Sequence, residues 1–141
     1  MGKINTYSLI YGIPCDNFCR EHKKENILIS EMRPQLIGPK ILINKLKKAG
    51  INSTLISDNA LGHMFFTGRI KQVYLFGSDN KFPCGAHTVK ILADWHKIPV
   101  EILKGENANT KFLDKDAKTF LGKKVTVKKI RTIAPQNENL Q

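Results

Sequence analysis

Four charged side chains stand where chemistry could be done: Glu31, Arg33, Asp58 and Asp79, each just after a short apolar run. Asp79 follows Tyr-Leu-Phe-Gly-Ser. A carboxylate leaving a buried strand is partly desolvated, which suits it to proton exchange near neutrality. A turn or cap role is the competing reading, since Asp is at home in loops. Arg33 is planar and permanently charged, so it could grip a carboxylate or phosphate through two parallel N–H donors; a salt bridge to Glu31 or Asp58 would equally explain it. Cys15, Cys19 and His22 share a helical face, and Cys84 and His87 form a second thiol–imidazole pair. Neither group has the CxxC spacing of a metal centre, so buried thiols are the better account and no metal is expected. Gly77 and Gly85 do not complete a dinucleotide fingerprint, and a Walker pattern is absent, so no cofactor is expected.

The elements that must position these groups alternate. Strands are read over residues 4–12, 26–32, 53–57, 72–77 and 99–103, with a last one over 124–130. Helices are read between them: 15–24, with Pro14 opening its first turn; 38–50, with Gly50 just past its end; 59–68, capped by Asp58; and 85–97. A short helix over 114–122 precedes the last strand. Strands and helices alternating at these lengths demand parallel pairing, hence a single Rossmann-like α/β domain: a mostly parallel sheet of about six strands, helices on both faces. That domain takes residues 1–133, and 134–141 form a polar tail. In such a sheet the strand carboxyl ends share one edge, where ligands bind. Glu31, Arg33, Asp58 and Gly77 lie there with Asp79, and Ser8 joins them if the first strand ends about there.

Composition limits what the edge can serve. The 141 residues suit one core, no apolar run reaches a membrane span, and "MGKINTYS" lacks the apolar stretch of a signal peptide. Three cysteines without an export signal imply reduced thiols and a cytoplasmic protein. Lys and Arg number 23 against 12 acidic residues, a formal charge of +11, which attracts phosphorylated metabolites, acidic protein faces or nucleic acid. The lysines are scattered and not interleaved with aromatics, so a nucleic-acid groove is not expected.

The segment "SEMRPQLIGPKILINKLKKAGINSTLISDNALGHMF", residues 30–65, resembles the signature region shared by methylthioribose-1-phosphate isomerase, ribose-1,5-bisphosphate isomerase and the regulatory subunits of eukaryotic translation initiation factor 2B. Members of that family carry E-S/T-R-P-x-x-x-G after a strand, matched here by Glu31, Arg33, Pro34 and Gly38. A GI-x-x-T-x-I strand follows, matched by Gly50, Ile51, Thr54 and Ile56. Asp58 and Gly77-Ser78-Asp79 continue the series, and the resemblance extends over residues 4–130. It implies Asp79 as proton shuttle and Glu31, Arg33, Asp58, Gly77, Asn80 and Lys81 as ligand contacts.

Three departures accompany it. The family isomerases place a catalytic cysteine in T-H-C at the end of the first strand, where this chain is read as Thr6-Tyr7-Ser8; a hydroxyl is a far poorer proton donor than a thiol. Asn80 and Lys81 follow Asp79 at once rather than after about ten residues as in the family, which shortens the loop. The family's N-terminal helical domain has no counterpart in this sequence, which begins at the α/β domain.

The expectation is a stand-alone domain, regulatory or catalytically degenerate, that binds a small phosphorylated ligand (a sugar phosphate or nucleotide). An active aldose–ketose isomerase using Asp79 with Ser8 or a nearby thiol is the alternative. A third reading is a protein-interaction module docking an acidic partner. A homodimer is expected, because Met64, Phe65 and Phe66 in succession cannot all face inward from one helix.

Overall fold

A computed structural model describes residues 5–78 and 82–106. Within them five strands form one parallel sheet: β1 (Tyr7–Tyr11), β2 (Ile27–Ser30), β3 (Ser53–Ile56), β4 (Ile70–Gly77) and β5 (Val100–Lys104). Their spatial order is β3-β2-β1-β4-β5, so the chain winds outward in one direction from β1 to β3 and then returns to start again at β4. Burial follows from that order. β2 is buried throughout and β1 nearly so, whereas β3 and β5, the outermost of the described strands, leave Leu55 and Ile102 exposed. A strand covered on both faces needs an uninterrupted apolar run, and Ile27-Leu28-Ile29 supplies one.

Among the described residues four α-helices connect the strands: α1 (Asp16–Glu21), α2 (Ile43–Lys48), α3 (Leu61–Phe66) and α4 (Ala86–Trp95). The expected helix over 38–50 is divided. A wide π-type turn, Gly38–Leu42, with Pro39 in its first positions, leads directly into α2. Gly50, at φ 83°, closes it as anticipated, and the Ile51 N–H returns to the Leu46 carbonyl at 2.9 Å. Leu42 and Leu46 are fully buried. On α3, Met64 and Phe65 turn inward while Phe66 stays 79% exposed, as the side-by-side placement requires.

The doubly wound α/β architecture is the one expected. The anticipated helix over 114–122, the last strand over 124–130 and the polar tail lie outside the described residues. Among the described residues no helix is long and apolar enough to cross a membrane.

Candidate functional site

The strand carboxyl ends meet around Tyr11, Ser30, Ile56, Gly77 and Lys104. The order reverses between β1 and β4, and an open sheet offers its ligand crevice outside such a point. The segment after β2 is the most elaborated part of this edge. Met32 and Leu36 both take left-handed backbone angles, φ 54° and 59°. Gly38 folds back so closely that a Cβ would overlap the Ser30 carbonyl oxygen, which only glycine permits. Its N–H donates to the Glu31 carbonyl at 3.2 Å. The glycine of the signature thus lets the segment re-enter the sheet edge beneath its own strand.

Asp58 holds this segment from the next strand. Its Oδ1 accepts the Met32 N–H at 2.9 Å and its Oδ2 the Arg33 N–H at 2.8 Å. Such charge-assisted bonds are stronger than neutral ones. The expectation that Asp58 caps the following helix is corrected: no side-chain cap bond forms there. Both oxygens are spent on the neighbouring loop instead. Fixed in this way, Arg33 leaves its side chain 45% exposed and sets its guanidinium 3.4 Å from both oxygens of Glu31. Ser30 Oγ and Gln35 Oε1 are buried nearby with no hydrogen-bond partner among the described residues.

Across the edge, the Tyr11 hydroxyl donates to the Cys84 carbonyl at 2.7 Å. Gly85, at φ 95°, makes room for that phenol: a Cβ there would strike the hydroxyl oxygen. Burial, and then the charges of Asp58 and Cys84, raise Tyr11 far above the ordinary phenol range, so it stays protonated. The half-buried Cys84 thiol is likewise pushed up, by burial first and Asp58 second. The Gly12 N–H points at the Met32 sulfur, 3.2 Å away. Met32 lies at the expected edge beside Glu31 and Arg33, whereas Tyr11, Gly12 and Cys84 are not expected there from the sequence. The one sequence signal for them was the glycine that ends β1.

Ser8 is the clearest correction. It is the second residue of β1 and pairs with Ile27, the first residue of β2, so it lies at the amino edge, opposite Arg33 and Asp58. Its hydroxyl is buried and donates to Glu25 at 2.7 Å. The strand continues to Tyr11, and it is Tyr11 and Gly12 that stand at its carboxyl end. Glu31, Arg33, Asp58 and Gly77 are at the expected edge; Asp79, Asn80 and Lys81 lie outside the described residues. All three thiols are free, and among the described residues no three His, Cys, Asp or Glu side chains group as metal ligands would.

Comparison with known proteins matches this architecture. Residues 16–100 fit the initiation factor 2 subunit family. A methylthioribose-1-phosphate isomerase of Koribacter versatilis is 37% identical over 86 residues, covering 55% of this chain and 23% of that protein. One from Thermosipho africanus is 35% identical over 106 residues, covering 69% of this chain and 29% of its own. This chain therefore spans about a quarter of the length of these curated relatives. The crystal structure of the translation initiation factor eIF-2B, subunit delta, from A. fulgidus superposes with a TM-score of 0.57 at 20% identity, over 72% of this chain and 36% of the other; at that identity the likeness speaks for the fold. With the signature segment and the sheet order in agreement, the chain belongs to the initiation factor 2 subunit family.

Proposed function

We propose that this chain binds a small phosphorylated metabolite, a sugar phosphate or nucleotide, at the carboxyl edge of its sheet, in a regulatory or catalytically degenerate role. One observation carries the reading: Asp58 fixes the backbone of Met32 and Arg33, so that the Arg33 side chain is held at the ligand edge with nearly half its surface open. A pre-positioned guanidinium loses less freedom on gripping a phosphate. Relatives named for a phosphorylated sugar substrate support the same ligand class. Ser8 supplies no proton donor to this edge, which supports the degenerate role. The proposal includes a homodimer and a cytoplasmic setting.

The test is a thermal-shift panel of methylthioribose-1-phosphate, ribose phosphates and nucleotides. A saturable shift, abolished in Arg33→Ala, is expected. A flat panel on the folded protein would leave the interaction-module reading in its place.

An active aldose–ketose isomerase is the second reading, favoured by Cys84. Its half-buried thiol lies beside Tyr11 at this edge, and a thiol is a better proton donor than the hydroxyl of Ser8, although burial and Asp58 weaken it as an acid. Turnover of methylthioribose-1-phosphate that Cys84→Ser removes would establish it.

A further inference from the structure

Away from the strand ends, α1 and α2 flank a groove of about 790 Å³. Arg20 and Lys23 line one wall; Lys40, Lys45 and Lys48 line the other, and Asp16 is the only acidic side chain among the described lining residues. Ile41 and Ala49 give the groove an apolar part. None of the residues just described at the strand ends takes part.

We propose that this groove is a docking site for an acidic polypeptide segment, a run of aspartates or glutamates on a partner protein. Three observations favour that occupant. The first is charge: the described lining residues include five cations and one carboxylate, with Glu106 paired to Lys45 beside them, within a chain of net charge +11. The second is that the groove already takes carboxylates. The Lys45 ammonium holds Asp16 at 2.9 Å and Glu106 at 3.0 Å, bringing α1, α2 and the segment after β5 together. Burial works against the charge on Lys45, yet the hydrogen bonds of Asp16 and Glu106 hold it above its ordinary range, and Lys45 in turn holds the exposed Asp16 below the usual carboxylate range. The third is the lining itself: the described lining residues include no aromatic, which a stacked single strand of nucleic acid would need. Lysines are mobile point charges that suit carboxylates at irregular spacing.

The dimensions set the ligand. Residues Gly38–Lys48 span roughly 15 Å along the wall at helical rise. An extended peptide crosses that length in about five residues. Hexaglutamate is therefore the probe.

Fluorescence anisotropy of labelled hexaglutamate against the full chain should show saturable binding that weakens as salt rises. Hexaglutamine should not bind. Lys23 and Lys48 are both exposed, so the double variant Lys23→Glu/Lys48→Glu should fold, as circular dichroism can verify, and should weaken binding by at least about tenfold. Lys71→Glu/Lys97→Glu makes the same charge change at exposed positions outside the groove and should leave binding near the wild-type value. Equal losses in the two double variants would mean general attraction by net charge, and would overturn the site. So would the absence of saturable binding. Tighter binding of hexauridylate would overturn the choice of a peptide. Arg33→Ala, which tests the strand-end ligand, should leave hexaglutamate binding intact, so the two proposals fail separately.

Discussion

The Asp58 carboxylate accepts the backbone N–H of Arg33 at 2.8 Å, joining the loop after β3 to the loop after β2. Both loops stand at the carboxyl edge, so this bond links local folding to the geometry of that edge. The same carboxylate takes the Met32 N–H with its other oxygen.

Asp58→Ala should therefore lower stability by about 1–3 kcal/mol, since it leaves the part-buried Met32 amide unpaired and takes the charged partner from the exposed Arg33 amide. Asp58→Asn keeps one acceptor oxygen and should lose less. Urea unfolding of the three proteins should show the midpoint falling in that order with an unchanged m value. An Asp58→Ala midpoint equal to wild type would remove the clamp from the account.

Gly38→Ala should destabilise by about 1–3 kcal/mol, because the new methyl overlaps the Ser30 carbonyl and the loop must shift. Gly62 is the control, since a Cβ there meets nothing within 4 Å. Gly62→Ala, at a helical position, should be neutral or slightly stabilising. Thermal melts of the two variants compare them directly.

Burial, with the Glu25 charge and hydrogen bond behind it, raises the Tyr74 phenol from 10.0 to about 12. The folded state thus keeps a proton that the unfolded chain gives up first. Its contribution is complete below pH 10, declines as pH rises from 10 to 12, and is gone above that. Urea midpoints across this window should fall more steeply for wild type than for Tyr74→Phe. Parallel slopes would mean that Tyr74 ionises as it does in the unfolded chain.

Self-association should use the α3–α4 face, where Phe66 is 79% exposed, Trp95 80% and Ile91 53%. Exposed aromatics beside apolar neighbours mark contact surfaces. Sedimentation at micromolar concentration should give twice the chain mass of 15.9 kDa. Phe66→Glu should shift it toward monomer by placing a charge in a dry interface. A monomer mass for the wild type would end the dimer proposal.

The sequence by itself determined the elements whose causes are local. Ile27-Leu28-Ile29 is apolar without a break, as a strand buried on both faces must be, and it forms β2. Gly50 closes α2, and adjacent Phe65 and Phe66 had to point different ways. Glu31, Arg33, Pro34 and Gly38 were legible through their resemblance to the family signature, and the fold supplies the reason for the glycine: a Cβ at Gly38 would overlap the Ser30 carbonyl oxygen. The tertiary structure decided whatever depends on pairing between distant segments. Ser8 went to the amino edge because β1 runs on to Tyr11 and sets Ser8 against Ile27, and a strand's register is fixed by its neighbours rather than by its own residues. Asp58 was legible as a cap and became a clamp, since its choice of amides required β2 and β3 to lie side by side. The basic groove was invisible as scattered lysines. Arg20 and Lys48 lie 28 positions apart in the chain, and only the packing of α1 beside α2 brings their charges to one place.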